Sequence, residues 1–123
     1  MKNRDCPFCN PEKTILSNDL AYAIYDRYPV NEGHLLIIPY RHVEDYWLST
    51  PMERQAINDL IEEGKAYMDE HFKPDGYNIG VNCGEAAGQT IFHLHVHLIP
   101  RYTGDIENPR GGVRGVIPEK RIY

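Results

Sequence analysis

At 123 residues, the chain is long enough to bury one hydrophobic core and too short for two independent ones. A formal charge of −5 argues against nucleic acid as the main partner, because binding a phosphate backbone requires a basic surface. There is no apolar run approaching the roughly 20 residues of a membrane helix, no leader pattern, and an odd number of cysteines for a disulfide framework. We therefore expect one cytoplasmic domain over residues 1–123, binding neither nucleic acid nor membrane.

The predicted elements alternate strands with one long helix. Strands are predicted over residues 20–26 and 34–40, because both are short apolar runs and the loop between them carries Pro29, Asn31 and Gly33. Apolar residues with a 3.6-residue period predict a helix from Pro51 to Phe72, ended by Lys-Pro-Asp-Gly. Residues 77–82 and 91–101 are predicted as two further strands around the loop Gly-Glu-Ala-Ala-Gly-Gln-Thr. This order favours an α+β domain with a mostly antiparallel sheet.

The run His-Leu-His-Val-His-Leu-Ile-Pro, residues 93–100, places three imidazoles at alternate positions. Alternate side chains of a strand share one face, so His93, His95 and His97 are expected on one surface with neighbours roughly 6.6 Å apart. Two neighbours could bind one zinc ion, but all three could do so only on a bent strand. The spacing therefore favours separate roles for the three side chains, among metal ligand, proton carrier and nucleophile.

This run resembles His-φ-His-φ-His-φ-φ, where φ is apolar, the signature of the histidine triad (HIT) family of nucleotide hydrolases and transferases. Further positions follow the family order: residues 33–39 with His42, residues 82–90, and Pro100 with Arg101. The resemblance covers about residues 6–103 and leaves 104–123 as a C-terminal arm. It implies a HIT-like fold, with a five-stranded sheet, one long and one short helix, and a homodimer.

The resemblance also implies roles for individual residues. His95 would attack the α-phosphorus and become nucleotidylated, His97 would stabilise the charge of the α-phosphate, and His34 would lie beside the triad. We expect a backbone carbonyl to orient His95, since an imidazole is a good nucleophile when its other nitrogen is held by a hydrogen bond. The substrate-binding positions implied are Phe8 and Ile24 around the base, Asp26 at the ribose, and Asn82, Gln89 and Thr90 near the phosphate and leaving group.

Cys6 and Cys9 have the C-x2-C spacing of half a tetrahedral zinc site, a spacing that also occurs in redox motifs. In one bacterial branch of the HIT family, the pair is completed by the histidines that correspond to His42 and His93. A site with four protein ligands would be structural, and it would leave His95 and His97 for phosphate chemistry. The resemblance thus implies a structural zinc ion and no organic cofactor.

The expected activity is hydrolysis of a purine nucleotide conjugate, either a dinucleoside polyphosphate or a nucleoside phosphoramidate, through a nucleotidyl-histidine. A nucleotidyl transferase or phosphorylase, a zinc hydrolase using two triad histidines as ligands, and a nucleotide-binding regulator without turnover remain alternatives. The arm carries the basic residues Arg110, Arg114, Lys120 and Arg121. It is either a mobile lid over a polyphosphate or a dimer-stabilising or solvated segment.

Overall fold

A computed structural model describes residues 5–123. Five strands form one antiparallel sheet: β1 (Leu16–Ser17), β2 (Ala21–Tyr25), β3 (Leu35–Pro39), β4 (Gly76–Val81) and β5 (Val96–Arg101), in the order β1-β2-β3-β5-β4. One long helix, α1 (Pro51–His71), connects β3 to β4. The α+β class, the antiparallel five-stranded sheet and the long helix are therefore confirmed.

Helix α1 begins at a complete capping box. The Thr50 side chain accepts from the Glu53 N–H, the Glu53 carboxylate accepts from the Thr50 N–H, and Pro51 occupies the first helical position. The helix ends where Phe72 donates its backbone N–H to the Met68 carbonyl and Lys73 takes a positive φ of 51°. The predicted end at Phe72 differs from the observed end at His71 by one residue.

The two faces of the sheet are covered by different parts of the chain. Helix α1 packs against one face, where its buried residues join alternate residues of β2, β3 and β5 in the main core. With two residues from the connecting segments, this core comprises Ala21, Ala23, Leu35, Ile37, Val43, Ala56, Ile57, Leu60, Met68, Leu94, Val96 and Leu98. On the opposite face, Tyr22, Leu36 and Ile38 form a smaller core with Cys6, Phe8 and Cys9. The N-terminal segment thus covers the face of the sheet that α1 leaves open.

The turn from β2 to β3 requires glycine at its last position. Gly33 has φ +96°, and a Cβ atom there would lie 2.9 Å from the Phe72 ring. His34 follows immediately and donates its backbone N–H to the Asn31 carbonyl at 3.1 Å. The close approach of Gly33 to Phe72 therefore fixes how the chain enters β3.

Three details differ from the sequence prediction. Strand β5 begins at Val96 rather than at residue 91, because Leu94 donates its N–H to Val43 at 2.8 Å, outside the ladder. Strand β1 has two residues, too few for a recognisable alternation. In the part of the chain described, the helical segments other than α1 are short 3₁₀ turns, at Tyr46–Leu48, Glu85–Ala87, Gly112–Val116 and Pro118–Lys120.

The C-terminal arm is an ordered segment that packs beside β4. Arg114 and Arg110 lie over the Tyr123 ring, at 4.6 and 5.5 Å from its centroid. Arg121 donates to the backbone carbonyls of Asn108 and Arg110. These contacts tie the guanidinium groups into the arm itself. Within residues 5–123, no helix has the length and apolar character needed to cross a membrane.

Candidate active site and metal centre

The three histidines of the run lie at the junction where the chain enters β5. His93 and His95 precede the strand, while His97 lies within it and pairs with Leu36 on β3 and Gly80 on β4. His97 is therefore on the sheet face opposite α1, since Val96 and Leu98 on either side of it are in the main core. The bent entry to β5 separates the surroundings of the three side chains.

His95 is oriented by a backbone carbonyl. Its Nδ1 lies 2.8 Å from the carbonyl oxygen of His93, and a carbonyl can only accept, so Nδ1 carries the proton. The Nε2 atom of the neutral ring then holds the lone pair. The Phe8 ring lies 5.1 Å from the His95 ring, centroid to centroid. The hydrogen bond expected from the sequence is present, and it leaves the lone pair of the ring on Nε2.

His34 and His97 are joined in a chain of hydrogen bonds that begins at a backbone amide. Val30 donates its N–H to His34 Nδ1 at 3.0 Å, so a neutral His34 carries its proton on Nε2. His34 Nε2 lies 3.0 Å from His97 Nδ1 and donates to it. The proton of neutral His97 is therefore on Nε2, and that nitrogen is the donor the ring can offer to a ligand.

Both of these imidazoles are held neutral at pH 7. Burial, followed by the neighbouring rings of His95 and His34, lowers the pKa of His97 to about 4, against the opposing effect of the Asp26 carboxylate. Burial also lowers the pKa of His34, against the opposing effect of Asp26. The site thus presents uncharged imidazoles in a partly buried setting. A hydrogen bond from a fixed imidazole N–H to a phosphate oxygen is strong in such a setting.

Asp26, predicted to bind the ribose, lies beside two of the histidines. Its Oδ2 atom is 3.4 Å from His34 Nε2 and 3.9 Å from His97 Nδ1, and Oδ1 accepts from the Tyr28 N–H at 2.9 Å. These three groups form one of two sets of potential metal ligands in the described chain, with their ligand atoms within 4.8 Å of one another. Sequence reasoning missed this contact between Asp26 and the histidines.

The other set consists of Cys6, Cys9, His42 and His93, whose ligand atoms also lie within 4.8 Å of one another. His93 Nδ1 is 3.3 Å from Cys6 Sγ, 3.5 Å from Cys9 Sγ and 3.2 Å from His42 Nδ1, and Cys9 Sγ is 3.1 Å from His42 Nδ1. Donor atoms around a tetrahedral zinc ion are about 3.3 to 3.8 Å apart, as bond lengths of about 2.0 to 2.3 Å require. Two of the four distances lie in this range and the other two are slightly shorter, so the four donors are close enough together to hold such an ion.

The surroundings of these four residues also suit a metal ion. His93 Nε2 lies 2.8 Å from the Pro39 carbonyl and must donate to it, so the lone pair of His93 is on Nδ1, facing the two sulfurs. Burial raises the pKa of the Cys6 thiol, and a thiolate at that depth requires a positive charge beside it. Two thiols and two imidazoles converging in this way could hold a metal ion with four protein ligands.

The remaining predicted residues line the same sheet face or the loop beside it. Phe8 is buried against the histidines, and Ile24 pairs with Leu36 on the site face. Asn82, at the end of β4, is half-buried, and Thr90 is exposed. Gln89 is buried, and its amide bonds to the backbone of Gly84, Glu44 and Ile91, so it braces the loop. Substrate contact by these side chains stays a prediction.

Fold and site together define an antiparallel α+β domain with a histidine cluster on one sheet face and a closed cysteine and histidine site beneath the N-terminal segment. The family of HIT domains matches residues 8–104, most of the described chain. The chain belongs to the HIT family.

Three relatives illustrate the match. The chain is 37% identical over 87 residues to an AP-4-A phosphorylase of Mycobacterium tuberculosis, covering 70% of this chain and 45% of that one. It is 35% identical over 103 residues to a bis(5'-adenosyl)-triphosphatase of Dictyostelium discoideum, covering 75% of this chain and 62% of that one. A crystal structure of a Zn-bound histidine triad family protein from Mycobacterium smegmatis matches with a TM-score of 0.76 and 32% identity, over 85% and 80% of the two chains. The chain thus spans less than two thirds of both enzymes.

Proposed function

We propose that this protein hydrolyses a purine nucleotide conjugate at its α-phosphate through a covalent nucleotidyl-histidine on His95. The observation that carries the proposal is the 2.8 Å hydrogen bond from His95 Nδ1 to the His93 carbonyl, which leaves the Nε2 lone pair for attack. Two relatives with names that specify adenosine polyphosphates support the substrate class. A dinucleoside polyphosphate is accordingly the first substrate to test, and a nucleoside phosphoramidate the second.

In the first step, His95 Nε2 forms a bond to the α-phosphorus while the bond from phosphorus to the leaving-group oxygen breaks. With a dinucleoside polyphosphate, a nucleoside polyphosphate leaves with that electron pair as an anion and requires no proton. The Nε2–H of His97 donates to a non-bridging oxygen of the α-phosphate, where charge accumulates. Phe8 and Ile24 contact the base, Asp26 binds the ribose, and Asn82, Gln89 and Thr90 lie near the phosphates and leaving group.

In the second step, water attacks the α-phosphorus and the bond from phosphorus to Nε2 breaks. The electron pair returns to Nε2, the water proton passes to solvent, and a nucleoside monophosphate leaves. Throughout both steps, the His93 carbonyl keeps the Nδ1–H of His95 in place and disperses the positive charge of the nucleotidylated ring.

A phosphorylase is the second candidate, because a relative of 37% identity bears that name. Its chemistry differs only in the acceptor: inorganic phosphate would replace water in the second step and take the nucleotidyl group. The first step and the roles of His95 and His97 would be the same. The two activities are separated by whether added phosphate changes the product from nucleoside monophosphate to diphosphate.

The metal site is proposed to hold a structural zinc ion, bound by Cys6, Cys9, His42 and His93. The geometry of these donors and a Zn-bound relative support this identity. When bound, the ion would neutralise the two thiolates and tie the N-terminal segment to the sheet. No step of the reaction passes through it.

A homodimer is also proposed, supported by exposed apolar side chains at the edge strand and the arm: Ile79, Val113, Val116 and Ile117. Placement in the cytoplasm stays an expectation from the sequence.

The decisive experiment is rapid-quench labelling of wild type, His95→Ala and His71→Ala with a radiolabelled diadenosine polyphosphate. His71 is a matched control, because it is an exposed histidine at the end of α1. Label that survives denaturation in wild type and His71→Ala, but not in His95→Ala, would establish the covalent step.

Two other outcomes would refute the proposal. Nucleotide binding without turnover in wild type would favour a regulator. Turnover without label that chelators abolish would favour a zinc hydrolase that uses two triad histidines as metal ligands.

A further inference from the structure

A cluster of polar side chains outside the catalytic set joins the β2–β3 turn to the end of β5. Asn31 donates its amide N–H groups to the Pro100 carbonyl at 3.0 Å and to Asp105 Oδ2 at 2.7 Å. Arg101 donates two hydrogen bonds to the same carboxylate, from Nε at 2.8 Å and from a terminal nitrogen at 2.9 Å. We call Asn31, Arg101 and Asp105 the clasp.

The clasp is braced on both sides. Asp105 Oδ2 also accepts a hydrogen bond from the Tyr102 N–H at 3.0 Å. The other terminal nitrogen of Arg101 donates an N–H to Asn78 Oδ1 on β4 at 2.7 Å. The Arg101 guanidinium lowers the pKa of Asp105, so the carboxylate is charged at any pH near neutral. Charge-assisted bonds of this bidentate kind hold their geometry well.

The turn held by the clasp carries the backbone amide that sets the proton of His34. Val30 precedes Asn31, and its N–H donates to His34 Nδ1 at 3.0 Å. The Val30 side chain is 65% exposed, so its own packing does little to fix the amide. The Asn31 carbonyl meanwhile accepts the His34 N–H at 3.1 Å. The position and direction of the Val30 N–H therefore depend on the hydrogen bonds that hold Asn31 in place.

Losing that amide would allow the histidine pair to reverse. With Val30 displaced, His34 could carry its proton on Nδ1 and accept from His97 Nδ1 through its own Nε2. His97 Nε2 would then hold a lone pair, which repels a phosphate oxygen. The bond between the two rings, 3.0 Å long, is compatible with both directions. Two groups favour the observed one: the Val30 N–H, which donates to His34 Nδ1, and the Asp26 carboxylate, whose Oδ2 is nearer to His34 Nε2 (3.4 Å) than to His97 Nδ1 (3.9 Å).

We propose that Asn31 and Asp105 are positioning residues: the clasp holds the Val30 N–H against His34 and so keeps the proton of His97 on Nε2. This inference rests on the proposed function, in which that N–H donates to the α-phosphate. Neither residue touches the reacting atoms. Their effect passes through one backbone amide and two imidazoles.

The test is nitrogen-15 NMR of the full chain with labelled histidine at pH 7.5, which distinguishes protonated from unprotonated ring nitrogens. In wild type, we expect His34 and His97 each to carry the proton on Nε2. In Asn31→Ala and in Asp105→Asn, we expect a mixture of tautomers at both residues. The matched control is Asp75→Ala, because Asp75 holds the same C-terminal loop through the Thr103 N–H at 2.7 Å without contacting Asn31.

Turnover should follow the tautomer. Because only the Nε2–H form donates to the phosphate, the rate should fall in proportion to the fraction lost, about 10-fold when one tenth of that form remains. The double variant that combines Asn31→Ala and Asp105→Asn should lower the rate no further than the more severe single variant, because both substitutions act on the same contact. Asp75→Ala should keep both the wild-type tautomer and the wild-type rate.

The outcomes separate this inference from the proposed function. If the variants shift the tautomer but the protein turns over none of the substrates, the positioning role of the clasp is supported and the proposed hydrolase activity is refuted. A single Nε2–H tautomer in both folded clasp variants would overturn the clasp, whatever the rate does. Asp105→Asn retains side-chain volume, so it serves where Asn31→Ala fails to fold.

Discussion

The neutral state of His97 makes the stability of the protein depend on pH in a defined window. The side chain is 23% exposed and accepts from His34 Nε2, and burial lowers its pKa from 6.5 to about 4. Between these values, the unfolded chain binds a proton that the folded chain does not. The contribution of neutral His97 to stability is therefore complete above pH 6.5 and is lost progressively as the pH falls towards 4.

The size of the effect follows from the same two values. At pH 5.0, nearly all unfolded chains and few folded ones are protonated at this residue. The loss of unfolding free energy is then set by the difference between the ordinary pKa of 6.5 and the pH of 5.0. This difference of one and a half units corresponds to about 2 kcal/mol. His97→Asn removes the titrating group and keeps an acceptor near the position of Nδ1, so this variant should lack that loss.

The assay is urea unfolding of wild type and His97→Asn at pH 7.5 and pH 5.0. The free energy of unfolding of wild type should fall by about 2 kcal/mol more than that of the variant between the two pH values. Groups remote from His97 are the same in both proteins, so their contributions cancel in the comparison. Equal losses in the two proteins would refute the reasoning, because His97 would then titrate as an ordinary histidine.

Three further predictions concern the core and the metal site. Gly64→Ala places a Cβ 3.0 Å from a Leu98 methyl. The overpacking should cost about 1 to 3 kcal/mol and outweigh the gain in helix propensity of about 1 kcal/mol, so the free energy of unfolding measured in urea should fall. Tyr22→Phe removes the hydroxyl that donates to the Phe8 carbonyl; it should cost about 1 to 3 kcal/mol and weaken zinc retention against a chromophoric chelator. A gain in stability for the first variant, or unchanged zinc retention for the second, would contradict these arguments. Cys9→Ser should leave less than one zinc per chain by elemental analysis and lower the melting temperature; wild type without zinc would refute the site.

Local patterns were sufficient for most of the fold. The 3.6-residue period placed α1 within one residue of its end, and the apolar runs placed β2, β3 and β4 within two residues of theirs. The predicted strand over residues 91–101 was too long, because alternation continues through His93 and His95 while the hydrogen bonding does not. Side-chain alternation reports which face a residue occupies, and backbone pairing depends on partners that are remote in sequence.

The same distinction explains the candidate site. The histidine spacing predicted separate roles, and the structure gives each ring a different partner. His93 contacts the two cysteines, His42 and the Pro39 carbonyl, His95 contacts a backbone carbonyl, and His97 contacts another imidazole. No pattern of residue types predicts that Val30 offers its N–H to His34, since every non-proline residue has that donor. What orients the His34–His97 pair is therefore the path of the β2–β3 turn, and that path depends on Asn31 reaching the Pro100 carbonyl across 69 residues of sequence.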